Sequence, residues 1–299
     1  MNDVWNWLSE PLQYAFMQRA LMAMVMVSIV SAVIGSFVVL KGLAFIGDAL
    51  GHASFAGVAT AFVLGGNIYL GALVAAIVTA LAIGYVGRRA RISQDTAIGI
   101  LFVGAFALGI VIISRQSNYT VDLFSFVFGN ILGVGRSDLF VIGGMSVAIL
   151  AAVTIYYKEL LFYSYDPEMA AAIGVPVRLM HYGLLTLIAV STVVALRAVG
   201  IVLVVAMLVT PAATAALLVW RLYQIMLVGA LLGLVASFAG LYISYYASVA
   251  SGATIVLVAT LLFAVAFVFS PRQGLLASLR HPIPEEESHA AASGRPGLP

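Results

Sequence analysis

The chain has 299 residues, of which 63% are hydrophobic and only 9% charged, a balance that no water-facing surface tolerates and that excludes a soluble globular protein. Its 14 Lys and Arg against 12 Asp and Glu give a formal net charge of +2. The cations are scattered through short loops and form no stripe, so nucleic-acid binding is excluded, and with no Cys any metal chemistry falls to His and carboxylate.

A membrane helix takes about 20 apolar residues, and a mean hydropathy of +1.13 fits a chain made almost wholly of such helices. Residues 1–16 form an N-terminal interfacial segment with Trp5 and Trp7 suited to an aromatic belt. Up to Gln18 there is no Lys or Arg and no small-residue cleavage site follows, so no signal peptide is expected and the first apolar run stays in the membrane. Breaks in the apolar runs predict an all-α, polytopic integral membrane protein with spans at 17–40, 43–64, 68–87, 95–114, 137–157, 179–197, 199–219, 222–246 and 253–270. That count is nine, and eight is the alternative. The stretch 121–132 is too short to cross and reads as a re-entrant or surface helix. The transmembrane domain is thus 17–270, with 158–178 as its long interior loop. Residues 271–299, rich in Pro, Glu and Ala, form a tail that cannot bury enough apolar area to order itself. His281 and His289 within it read as no site.

In the nine-span reading Lys41, Arg88, Arg89, Arg91, Lys158, Arg178, Arg221, Arg272 and Arg280 share one side, which the positive-inside rule makes cytoplasmic. The N-terminus is then outside and the tail inside; an eight-span count moves only the N-terminus. Arg19, Arg115, Arg136 and Arg197 fall on the outer side, where snorkelling is the preferred reading over an acidic partner for Arg115, Arg136 and Arg197.

Asp48 lies within the second apolar span, and His52 follows one helical turn later on the same face, with Cβ atoms about 5–6 Å apart. A charge there costs at least about 2.5–3.5 kcal/mol, so it faces a watery path or a partner. Three readings stay open: a hydrogen-bonded pair that pins a helix crossing, a proton relay, or part of a metal path. Glycines 47, 51 and 57 and the neighbouring alanines let another helix come close. Two ligands do not hold a divalent cation, which takes four or more. Two copies about a two-fold axis supply two Asp and two His, a set suited to zinc or manganese: a closed tetrahedron favours zinc, retained waters favour manganese.

Within 165–176, Asp166 caps a short helix that carries Pro167 and Glu168 in its first turn and ends at Gly174, giving either a docking surface or a well-capped connector. Pro211, flanked by Thr210 and Thr214, interrupts the hydrogen bonding of the seventh span and is either a hinge or a static kink. Ser93 and Asp95 read as helix-start residues. No phosphate-binding loop, zinc-protease motif or nucleophile elbow occurs.

Six segments in order carry a resemblance: Gly47-Asp48-Ala49-Leu50-Gly51-His52-Ala53-Ser54 with Gly57-Val58-Ala59; Asp95-Thr96-Ala97-Ile98-Gly99-Ile100; Phe128-Gly129-Asn130-Ile131-Leu132; Asp166-Pro167-Glu168 with Gly174; Val199-Gly200 through Thr210-Pro211-Ala212-Ala213-Thr214-Ala215; and Ser251-Gly252-Ala253-Thr254-Ile255-Val256. Over about 30–270 the chain resembles the permease subunits of bacterial ATP-binding-cassette importers for manganese, zinc and related metals. The resemblance implies a type II importer permease fold, akin to vitamin and siderophore importers. It also implies a homodimer, cytoplasmic ATPase subunits that bind the ATP, an extracytoplasmic metal-binding protein, and a divalent metal as cargo with no resident cofactor. Asp48 and His52 inherit the metal path; Tyr165, Asp166, Pro167, Glu168, Ala171 and Gly174 inherit the coupling helix that docks on the ATPase. The chain departs from the family at Gly51, where Ser is common, and at 247–250, which lacks the acidic residue and Pro of the outer loop. An imidazole must be neutral to ligate, so uptake is expected to fall in acid. The rival readings are a proton-coupled secondary transporter and a siderophore or vitamin importer of the same superfamily; an intramembrane enzyme lacks any nucleophile and base beyond the one pair.

Overall fold

The computed structural model describes residues 9–90, 92–114 and 131–270. The expectations for Trp5, Trp7, Arg91, Arg115, the stretch 121–130 and the tail from 271 lie outside these residues. Among the described residues there are eleven α-helices and no strand: α1 Ala15–Leu40, α2 Ile46–Val63, α3 Ile68–Arg89, α4 Gln94–Ile113, α5 Arg136–Ile155, α6 Tyr157–Tyr165, α7 Pro167–Ala172, α8 Val177–Val199, α9 Ile201–Leu218, α10 Leu222–Ala247 and α11 Ser251–Phe269. Helices prevail because hydrocarbon offers no hydrogen bonds, so every backbone N–H and C=O in a span must be satisfied within it.

Eight helices, α1 to α5, α8, α10 and α11, are long and apolar enough to cross a membrane. The 18-residue α9 reaches about 27 Å at 1.5 Å per residue. Its C-terminal end lies beside that of α11, where the Ser270 hydroxyl donates to the Leu217 carbonyl at 2.8 Å. It therefore returns the chain to the end of the bundle that holds Lys41, Arg88, Arg89, Lys158, Arg178 and Arg221. Gly200, with φ 78° and ψ 168°, separates α8 from α9; that backbone region is essentially reserved for glycine and lets the chain reverse within one residue.

α1 and α8 bury most of their length, whereas α4, α5 and α11 bury little of theirs and give the bundle its apolar rim. Phe37, Met24 and Ile34 of α1 are fully buried. The contact of α1 with α10 carries a buried hydroxyl pair, Ser28 Oγ to Ser237 Oγ at 3.0 Å. Ser237 spends its own proton on the Gly233 carbonyl, so Ser28 is the donor. Without a hydrophobic drive between helices in lipid, close approach rests on small residues. α2 and α3 meet backbone to backbone at Gly57 and Gly71, and α1 meets α9 at Gly35, where an added Cβ would strike the Leu208 carbonyl.

Substituting Gly57→Ala is expected to force α2 from α3 and cost about 1–3 kcal/mol, as overpacked cores do. Gly104→Ala, on a helix face with no atom within 4 Å, is expected to change stability by no more than about 1 kcal/mol, in the stabilising direction. Thermal unfolding of the purified protein in detergent measures both; equal shifts would refute the close α2–α3 approach.

Candidate functional site

Asp48 sits in the first turn of α2, nearer the basic end of the bundle than a position deep in the span. There the unpaired N–H groups and the positive end of the helix dipole favour a carboxylate. His52 lies one turn further on, and its Nε2 is 3.4 Å from Asp48 Oδ1. In the single chain the two side chains are 42% and 29% exposed, so the pair lines an open face and is not sealed in the core. One flank is aromatic: the imidazole lies 5.9 Å from the Phe102 ring and 5.4 Å, edge-on, from that of Phe106 on α4.

The glycines of the motif turn elsewhere. Gly47 meets Leu208 and Gly51 meets Ile201, both on α9, while Gly57 meets α3. The small residues expected to admit a helix to the pair are therefore used within the chain, and the pair itself looks outward past α4. A Cβ at Gly51 would lie 3.4 Å from Ile201, in van der Waals contact. Among the described residues no cluster of three or more His, Cys, Asp or Glu side chains able to hold a metal ion exists, so these residues offer two such donors at the Asp48/His52 face. An apolar groove of about 910 Å³ runs between α2, α3 and α4, lined by Ala56, Gly57, Gly71, Val74, Gly104 and Leu108 among others. Its side chains carry only the hydroxyls of Thr60 and Thr79, too few donors to strip water from a cation.

At the basic end, α7 forms as expected. Asp166 Oδ1 accepts from the N–H groups of Glu168 and Met169 at 2.9 and 3.0 Å. Pro167 occupies the first helical position, and Gly174, at φ 88°, ends the turn. Tyr165, Asp166, Glu168, Ala171 and Gly174 are exposed, Pro167 is half-buried, and Ala170 is buried against the bundle. Met169 on α7 and Ile173 at its C-terminal cap, which the sequence reading left out, are exposed apolar side chains four positions apart, and Tyr165 at the end of α6 is exposed as well, each by more than half. The hydrophobic residues of the segment, read at helical spacing, were the available signal.

α9 passes through Pro211 as one helix, and the Thr214 hydroxyl donates to the Thr210 carbonyl at 2.7 Å. Ser93 caps α4 by accepting from the Thr96 N–H, with Asp95 in the first turn. At the end opposite the cations, Arg197 corrects the snorkelling expectation. Its Nε and Nη2 donate to Asp138 Oδ1 at 3.0 and 2.7 Å, and its guanidinium lies 4.0 Å above the Tyr69 ring. Asp138 Oδ2 accepts the Gly135 N–H and so caps α5. The pair joins positions 59 apart in sequence, which no local spacing signals.

The described residues thus form a helical membrane bundle with a carboxylate–imidazole pair open on one face and exposed apolar side chains at its basic end. The chain belongs to the ABC 3 transport family, whose profile matches residues 13–270. It is 47% identical over 92% of its length to the manganese transport system membrane protein MntC of Halalkalibacterium halodurans, covering 94% of that protein. It is similar in structure to PsaBC from Streptococcus pneumoniae, solved in complex with Fab, with a TM-score of 0.81, 39% identity, and coverage of 93% of this chain and 100% of that one. A TM-score of 0.66 at 15% identity, over 84% of this chain and 85% of the other, relates the fold to an inward-facing putative metal-chelate type ABC transporter. The protein is a multi-pass integral membrane protein of the bacterial inner membrane.

Asp138→Ala is expected to strip Gly135 of its cap and leave Arg197 unpaired at a site where the two side chains are 25% and 17% exposed, costing about 1–3 kcal/mol. Arg197→Lys keeps the charge but loses the forked contact and should cost less. Thermal denaturation in detergent ranks the two, and an unshifted midpoint for Asp138→Ala would contradict the assignment.

Proposed function

We propose that this chain is the membrane-spanning permease of an ATP-driven importer of manganese, working as a homodimer with cytoplasmic ATPase subunits and an extracytoplasmic metal-binding protein. The single observation that supports it most is the outward-facing Asp48/His52 pair. Two donors of one chain make half of a divalent-cation site, and a two-fold partner supplies the other half. Carboxylate and neutral imidazole with retained waters suit manganese, and the relatives named for manganese transport favour it over zinc, which the same donors accept in a tetrahedron. The cation is cargo, so moderate affinity from few ligands serves release better than a closed cage.

The basic end faces the cytoplasm, where α7 presents Tyr165, Met169 and Ile173 to a groove of the ATPase, with the capping Asp166 holding the helix in shape. ATP binding closes the ATPase pair, displaces α7 and alternates the exposure of the Asp48/His52 face. The unbroken helix through Thr210 and Pro211, with its bond from Thr214 to Thr210, favours a fixed element over a hinge.

In cells that co-express the ATPase, Asp48→Ala and His52→Ala are each expected to lower manganese accumulation by about tenfold or more, the scale of losing a metal ligand or its support. Wild-type accumulation in both would end the site assignment. A proton-coupled carrier would instead transport without the ATPase and stop with an ionophore. Met169→Asp is expected to abolish co-purification of the ATPase while leaving the permease folded; retained association would refute the docking role of α7.

A further inference from the structure

The basic end holds a buried polar cluster that the proposed cycle does not yet use. Tyr163 lies on α6, three residues before the cap of α7, and is 5% exposed. Its hydroxyl is 2.7 Å from Nδ1 of His181 in the second turn of α8. Its backbone carbonyl accepts from Lys41 Nζ at 3.3 Å, and the same ammonium stands 4.3 Å above its ring. One side chain thus touches the helix after α7 and the residue that ends α1.

Both attachments are stiff. Lys41 is the C-cap of α1, and the corner that follows is closed by the N–H of Leu43 on the Val38 carbonyl and the N–H of Ile46 on the Leu43 carbonyl, at 2.9 and 3.0 Å. The backbone of Lys41 is thereby joined through a short hydrogen-bonded corner to the start of α2, where Asp48 sits. On the other side His181 packs against α3 at Gly84, where an added Cβ would lie 3.0 Å from Nε2, so the glycine leaves the ring the room it occupies. Burial also pushes the Tyr163 phenol up to about 12, against the opposing effect of Arg88, and lowers Lys41. The phenol keeps its proton at physiological pH, and the cluster occupies a partly dry site where its contacts are strong.

We propose that Tyr163 is the positioning residue through which displacement of α7 reaches α2 and its Asp48/His52 pair, an inference that rests on the docking reading of α7. Coupling between distant sites needs a contiguous element with two discrete arrangements. The bond made to α8 by the hydroxyl and the separate contact of the ring and carbonyl with Lys41 at the α1–α2 corner supply the contiguous contacts through which such an element would act.

The test reconstitutes the permease with its ATPase and binding protein in liposomes and reads manganese delivered per ATP hydrolysed. Tyr163→Phe removes the hydroxyl and keeps the ring over Lys41. It is expected to lower that ratio by about fivefold or more, the usual floor of a coupling effect, with ATPase co-purification and the unfolding midpoint unchanged. His181→Leu removes the other half of the same bond and should read alike, which keeps the test open if Tyr163→Phe fails to accumulate. His181→Gln, which retains a hydrogen-bonding group, should recover most of the ratio. An unchanged ratio in Tyr163→Phe and His181→Leu, or a parallel fall of transport and hydrolysis, would overturn the role of Tyr163 alone. Retention of the ATPase by Met169→Asp would remove the docking reading and this inference with it.

Discussion

A charge moved from water into hydrocarbon loses several kcal/mol unless it finds a partner or a wet surface, and the ionisable side chains of this chain are placed accordingly. Most stand at helix ends. Several of these are matched there: Asp48 in the first turn of α2 with His52, Asp138 in the first turn of α5 with Arg197 in the last turn of α8, and Lys41 at the C-cap of α1 with the carbonyl and ring of Tyr163. The Asp138–Arg197 pair is satisfied inside one chain, down to the cap on Gly135, and so is spent on structure. The Asp48–His52 pair is not: it has lone pairs left over and an open face, which is what a passing cation requires.

The same constraint divides the bundle into a fixed part and a responsive part. Backbone-to-backbone contacts at Gly57 with Gly71 and at Gly35 with Leu208 hold α2, α3, α1 and α9 at distances that tolerate no added methyl group. Such contacts do not stretch, so motion passes through them as rigid-body displacement. The short α7 follows α6, which the buried Tyr163 anchors to this framework, and Tyr165, Met169 and Ile173 around it are exposed.

Much of this was legible in the amino-acid order. Runs of about 20 apolar residues can form only helices in a bilayer, and the spans read from them end within a few residues of those observed, with α2 and α9 equally the shortest. Local chemistry was equally readable: Asp166 and Gly174 bracket α7 because a carboxylate that accepts N–H groups and a glycine at positive φ act within a turn of themselves. Asp48 and His52, four positions apart, had to share a helix face for the same reason.

What lay beyond the sequence was every relation between helices. The glycines around the pair looked like an opening for a neighbour, yet three of them turn toward α9 and α3. Arg197 read as a snorkelling cation until α5 brought Asp138 to it, and Tyr163, His181 and Lys41 carry no spacing that joins them. Periodicity and capping are properties of adjacent residues, so the chain alone determined its class, its spans and its short-range sites. Which face of each apolar helix meets which other is chosen by packing, because in lipid all apolar faces cost nearly the same to expose, and only the assembled bundle decided it.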